Sequence, residues 1–170
     1  MRKINVKNYM EMSGQRTCTE KGDFIYKPVV APQSKDAYQC HIAFVEIDPG
    51  KQSFDYHYHE TDEEAFYIIQ GKGMVRTPNG EIEVRAGDVI TFPAGPEYAH
   101  AIRNHSETEK LIYIDFDTHN LPEITHFPDT GKVEIQGPFS SKIYDEETGR
   151  QNANPRLKQG VRESIVYQGE

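Results

Sequence analysis

The chain has 170 residues, a length that predicts one domain with an appended arm and needs no disulfide staple to bury a core. Nineteen basic against 27 acidic residues give a formal charge of −8, which argues against nucleic acid or an anionic membrane as partner, because either demands a basic patch. Apolar runs stay as short as Ala65 to Ile69, so no membrane-spanning helix is expected, and Met1 to Met12 lacks the apolar core of a secretory signal.

Residues 1–37 read as an N-terminal arm whose strand-like stretch is Phe24 to Val30. Cys40 to Ile47 alternates in polarity and stops at the turn Asp48-Pro49-Gly50. Phe54 to His59 and Glu64 to Gln70 read as the next strands, the latter ended by Gly71. Gly73 to Thr77 and Glu81 to Arg85 flank Pro78-Asn79-Gly80, a hairpin turn in which Asn79-Gly80 supplies positive φ. Asp88 to Phe92 and Tyr98 to Asn104 follow, separated by Pro93-Ala94-Gly95-Pro96, and Lys110 to Asp117 closes the series. About eight short strands with no sustained 3.6-residue period predict an all-β jelly roll occupying residues 38–117.

Residues 118–170 carry Pro122, Pro128, Pro138 and Pro155 and the polar run Glu146 to Asn154. They read as a C-terminal extension, ordered where Val133 to Ile135 and Ile165 to Tyr167 dock on the barrel. No internal repeat is present, so one barrel is expected. Cys18 and Cys40, with no export signal, are expected to be reduced thiols of a cytoplasmic protein.

His57-Tyr58-His59 places two imidazoles at i and i+2 of a strand, on one face and about 7 Å apart. From there both can reach a single ion through bonds of about 2.1 Å. The turn Glu60 to Glu63 returns the chain so that Glu64 faces the pair, with Glu63 as the rival carboxylate. His100, after Gly87, Pro93 and Gly95, is the candidate fourth ligand from a separate strand. Singly, each has an ordinary explanation: a hydrogen-bonded or exposed histidine, or an acidic turn in water. Their joint occurrence within one glycine and proline framework favours a site.

That framework, Gly50-x6-His57-x-His59-x4-Glu64-x6-Gly71 followed by Gly87-x5-Pro93-x-Gly95-x4-His100-x3-Asn104, resembles the two motifs of the cupin superfamily. The first motif has one residue more than usual before His57, and the second has two more between Gly95 and His100. Both departures fall in turns, where insertions are tolerated. Pro128 to Val133 and Tyr167 to Glu170 are similar to the tail of small bacterial single-domain cupins of unassigned reaction. The resemblance implies a double-stranded β-helix in which His57, His59, Glu64 and His100 bind one divalent transition metal ion: Fe, Mn, Ni, Co or Zn. Three neutral imidazoles and one carboxylate would leave such an ion a net charge near +1 and two of six octahedral positions open.

Tyr98, which shares strand parity with His100, and Arg76, whose guanidinium would hold a carboxylate or phosphate if turned inward, are the candidate catalytic residues. Tyr58, Tyr67 and Arg103 are expected on the opposite face. His41 is ambiguous between the interior and the surface, while His105, His119 and His126 lie outside both motifs. The resulting expectation is a metal-dependent enzyme, of dioxygenase, isomerase or decarboxylase type, acting on a small oxygenated molecule. The alternatives are a sensor or binding module for a sugar or organic acid, and a purely structural ion. Single-domain cupins imply a homodimer.

Overall fold

The computed structural model describes residues 6–30 and 39–152. Fourteen strands and two single 3-10 turns, Tyr9–Glu11 and Pro96–Tyr98, make up its regular structure. One antiparallel sheet of six strands runs in the order β1 (Gln15–Cys18), β2 (Asp23–Val30), β3 (Cys40–Ile47), β10 (Leu111–Thr118), β5 (Glu64–Gln70) and β8 (Val89–Phe92). A three-stranded sheet joins β7 (Gly80–Arg85), β6 (Lys72–Thr77) and β9 (Ala101–Asn104). A five-stranded sheet joins β14 (Gln151–Asn152), β13 (Ser140–Asp145), β12 (Lys132–Gly137), β11 (Glu123–Phe127) and β4 (Tyr58–His59). The all-β double-stranded β-helix expected from the sequence is what the chain forms.

The strands exist because apolar and polar residues alternate over short runs between turn residues, so that each strand buries one face. Phe24, Val45, Ile47, Phe66, Ile68, Val75, Val84, Phe92, Ile102, Leu111 and Tyr113 form one buried cluster. Each fully buried side chain of this size contributes roughly 1.5–3 kcal/mol of transfer free energy. The Tyr113 hydroxyl is satisfied within the core by donating to Ser53 Oγ at 3.0 Å. Gly71, which ends the first motif, has φ +84°, and a Cβ there would stand 2.3 Å from the Lys110 carbonyl oxygen. Close approach of two backbones therefore requires glycine at that turn.

Three local readings change. Phe54 to His59 is strand only at β4, with Gln52 and His57 making isolated bridges to Arg103 and His100. The segment before β9 is the 3-10 turn Pro96–Tyr98, not strand, and it absorbs the extra residues between Gly95 and His100. Residues 123–152, read as an extension ordered only where Val133 to Ile135 dock, hold four strands, and β11 pairs directly with β4. Their alternation is hidden by polar residues at inward positions. Ile165 to Tyr167 and the tail motif at 167–170 lie outside the described residues.

Glu46 on β3 ties the N-terminal segment to the barrel. It is buried, ion-paired with Lys27 and Lys110, and accepts from the Tyr9 hydroxyl at 2.9 Å. Burial opposes its charge, but the two ammonium groups and the hydroxyl outweigh burial and bring its pKa down to about 2. A carboxylate depressed in this way adds stability that is complete above its ordinary value of 4.5 and is lost as pH falls towards about 2. Glu46→Gln should therefore lower stability at neutral pH and flatten the acid limb across that interval. Urea unfolding of both proteins at neutral and acid pH measures the difference.

Candidate metal centre

Along β10 the inward-facing residues change character. Leu111 and Tyr113 belong to the apolar core, whereas Asp115 and Asp117, next on the same face, are acidic. The core therefore gives way at one end to a polar cavity of about 130 Å³, whose walls include His57, His59 and Glu64.

His57 and His100 reach each other through an antiparallel bridge: His57 N–H donates to the His100 carbonyl at 3.0 Å, and His100 N–H to the His57 carbonyl at 2.8 Å. Their rings stand 4.8 Å apart between centroids. His59 lies opposite Thr125 in the β4–β11 pair. Glu64 is the first residue of β5. His57, Glu64 and His100 are all buried, and His100 stacks flat on Phe92 with centroids 3.5 Å apart.

Each imidazole has its Nδ1 occupied. That of His57 lies 2.7 Å from the Asp55 carbonyl, that of His100 lies 3.0 Å from the Tyr98 carbonyl, and that of His59 lies 3.3 Å from Glu123 Oε1. Carbonyl and carboxylate oxygens only accept, so Nδ1 carries the proton and the Nε2 lone pair is presented inward. All three Nε2 atoms face Glu64 Oε2, at 3.5 Å for His57, 3.5 Å for His59 and 2.8 Å for His100. His59 Nε2, His100 Nε2 and Glu64 Oε2 are buried with no hydrogen-bond partner. Buried polar atoms left this way are costly unless something else satisfies them. Neighbouring ligands of an ion bound at about 2.1 Å stand about 3 Å apart, so the donor set fits a transition metal.

Charge supports the same fit. Burial lowers the His57 pKa. Burial also opposes charge on His59, but Glu64 and Glu123 overcome it and push that imidazole up to about 10. Glu64, despite its burial, is held well below the usual carboxylate range by His100 and His59. The carboxylate thus calls for a positive charge among the imidazoles, which a cation would supply in place of a proton.

Other predicted residues fall elsewhere. Tyr98 is 40% exposed and lies outside the cavity wall. The 3-10 turn breaks the alternation that linked it to His100, and only its backbone carbonyl serves the site. Arg76 does not turn inward either. It makes a two-point ion pair with Asp129, at 2.7 and 2.9 Å, and lies over the Tyr56 ring. Tyr58 points away from the cavity and stacks on His126, Tyr67 is exposed, and Arg103 pairs with Glu81. Glu63 is exposed and Glu64 is the inward carboxylate. His41 is interior and lines the cavity, as does His119, although neither belongs to the motifs. His126 pairs with Glu60 and Glu146, and His105 stands 3.8 Å from Glu83.

Sequence reasoning passed over Asp62, Asp115, Asp117 and Glu123, all of which line the cavity. Glu123 is 2% exposed and gathers the backbone N–H groups of Glu60, Thr61 and Asp62 as well as the Thr61 hydroxyl. An acidic residue on the inward parity of an alternating strand, as in Leu111-x-Tyr113-x-Asp115-x-Asp117, was the available signal.

The cupin-domain family model matches residues 43–117. Quercetin 2,3-dioxygenase of Bacillus subtilis (strain 168) is 29% identical over 97 residues, covering 57% of this chain and 28% of that protein. This chain thus spans under a third of that relative's length. A sugar phosphate isomerase of the cupin superfamily from Silicibacter pomeroyi superposes with a TM-score of 0.71 at 17% identity, over 86% of this chain and 96% of that one. A predicted oxalate decarboxylase from Thermotoga maritima superposes with a TM-score of 0.58 at 19% identity, over 68% and 99%. At such identities the two structures attest the shared fold alone. No helix among the described residues is long and apolar enough to cross a membrane. Motifs, barrel and family match agree on residues 43–117, which match the cupin-domain family, and that match assigns no reaction.

Proposed function

We propose that the chain is a metal-dependent enzyme in which His57, His59, Glu64 and His100 hold one divalent ion (Fe, Mn, Ni, Co or Zn), and that it acts on a small oxygenated molecule. The observation that carries this reading is the convergence of three Nε2 lone pairs on one buried, otherwise unsatisfied Glu64 oxygen. Bound there, a divalent ion with open positions supplies Lewis acidity and a template for a chelating substrate. The chain's own part is to hold the imidazoles in one tautomer through Asp55, Tyr98 and Glu123, and to wall the site with Phe54 and Phe92. Dioxygenase, isomerase and decarboxylase chemistry are the reaction types within this proposal, and the dioxygenase relative supports the first. An open cavity beside His57, His59 and Glu64 favours a catalytic ion over a closed structural one.

The proposal includes a cytoplasmic location and a homodimer, and light scattering on the purified protein tests the dimer. Its central claim is tested by elemental analysis of protein prepared without a histidine tag, then a thermal-shift screen of small diols, enediols, phenols and hydroxy acids with and without metal. At least about one transition metal ion per chain and a metal-dependent ligand shift are expected. Metal-free protein that gains no stability from any of the five ions contradicts the reading.

A further inference from the structure

His57, His59 and Glu64 of the metal centre occupy one part of the cavity wall. Across it, three adjacent strands carry a row of polar groups in register: His41 of β3 lies opposite Asp117 of β10, which lies opposite Glu64 of β5. Asp115 stands two residues back on β10, on the same face and 2% exposed. His41 Nδ1 is 2.7 Å from Asp117 Oδ2. One oxygen of Asp115 lies within 4.8 Å of one of Asp117, and Asp117 is paired in register with Glu64. Carboxylates this close repel unless a proton or a cation lies between them.

The other cavity acids are settled differently. Glu123 is surrounded by backbone N–H donors. Asp62 accepts from Asn120 N–H at 2.7 Å and from the Thr118 hydroxyl at 3.2 Å. By contrast, Asp115 Oδ1 and Asp117 Oδ1 are buried without a hydrogen-bond partner. Among the described residues, no lysine or arginine lines the cavity. A single divalent ion at the neighbouring site keeps a net charge near +1 beside Glu64, which offsets only one of these two acids.

The His41 ring is poised as a donor rather than as filler. Its Nε2 is hydrogen-bonded to the Tyr26 hydroxyl, and its Nδ1 faces the two aspartates. One donor atom from each of His41, Asp115 and Asp117 lies within 4.8 Å of the others. Opposite ligands of an ion with bonds of about 2.1 Å are about 4.2 Å apart, so the three atoms span the room of one ion.

We propose that His41, Asp115 and Asp117 form a second cation site beside the first, taking a divalent ion such as Mn²⁺, Fe²⁺ or Zn²⁺. One imidazole with two carboxylates suits these ions. Asp117, lying between Asp115 and Glu64, makes the two sites neighbours. This site does not depend on the proposed reaction.

The experiment strips the full-length protein with a chelator and titrates Mn²⁺, following stoichiometry by calorimetry and the spin state by electron paramagnetic resonance. Wild type is expected to take two equivalents with a magnetically coupled spectrum. Asp115→Asn should take one and give the six-line spectrum of an isolated ion, and His100→Ala should likewise take one. His41→Gln serves as a second variant should Asp115→Asn fail to fold, with circular dichroism as the check on folding. A wild type that saturates at one equivalent, retained with unchanged affinity in Asp115→Asn and lost in His100→Ala, overturns the second site and assigns a shared proton to the aspartates. One equivalent lost in Asp115→Asn but kept in His100→Ala supports the second site and overturns the first. No binding at all overturns both.

Discussion

His59→Ala is expected to emerge from purification short of the wild-type metal content by about one equivalent per chain, the ion of the four-residue centre. Losing a partner that merely orients a ligand typically costs 10–100-fold in metal affinity, and losing the ligand itself should cost at least as much. The residue left behind would be a buried Glu64 facing His57 and His100, with a gap where Nε2 had stood 3.5 Å from its Oε2. His126→Ala is the matched control, because its ring stacks on Tyr58 and pairs with Glu60 and Glu146 away from the cavity. Elemental analysis of the two variants side by side gives the answer. Wild-type stoichiometry in His59→Ala would remove that residue from the ligand set.

Glu123→Ala should be the most damaging single change outside the ligands. It strips the acceptor from three backbone N–H groups, from the Thr61 hydroxyl and from His59 Nδ1 at once. At roughly 1–3 kcal/mol for each buried donor left unsatisfied, some of them reached by water after relaxation, a loss of about 3–5 kcal/mol is expected. The same change frees the His59 ring to rotate, so metal affinity should also fall about 10–100-fold. Urea unfolding of the metal-free variant isolates the structural part, and competition with a chromophoric chelator measures the affinity. Glu123→Gln, which keeps one acceptor oxygen, should recover part of the stability. A change in unfolding free energy below about 0.5 kcal/mol would show that the 60–62 turn does not rely on this carboxylate.

The importance of Glu123 also shows where local reading stops. Glu123 and Thr125 reach His59 because β11 pairs with β4, and those partners are more than 60 residues apart in the chain. Nothing near Glu123 in the sequence announces a metal site. Its stretch was read as part of a proline-rich extension whose alternation is interrupted by Pro122 and Pro128. Tyr98 illustrates the opposite failure. Strand parity carried it into the cavity, but Pro96 starts a 3-10 turn, where successive side chains no longer alternate between two faces.

What the sequence by itself determined are the features with short-range causes. Alternation over five to eight residues makes strands, Gly and Pro make their turns, and the i, i+2 spacing of His57 and His59 sends both rings to one side. From these follow the all-β barrel and the three imidazoles whose Nε2 atoms face Glu64 Oε2. Only the tertiary structure decided which distant strands lie next to which, and in what register. The row His41, Asp117, Glu64 depends on both pairings of β10, and a slip of one residue would turn Asp115 and Asp117 outward. Register is set by packing over the whole core, so no window of sequence contains it.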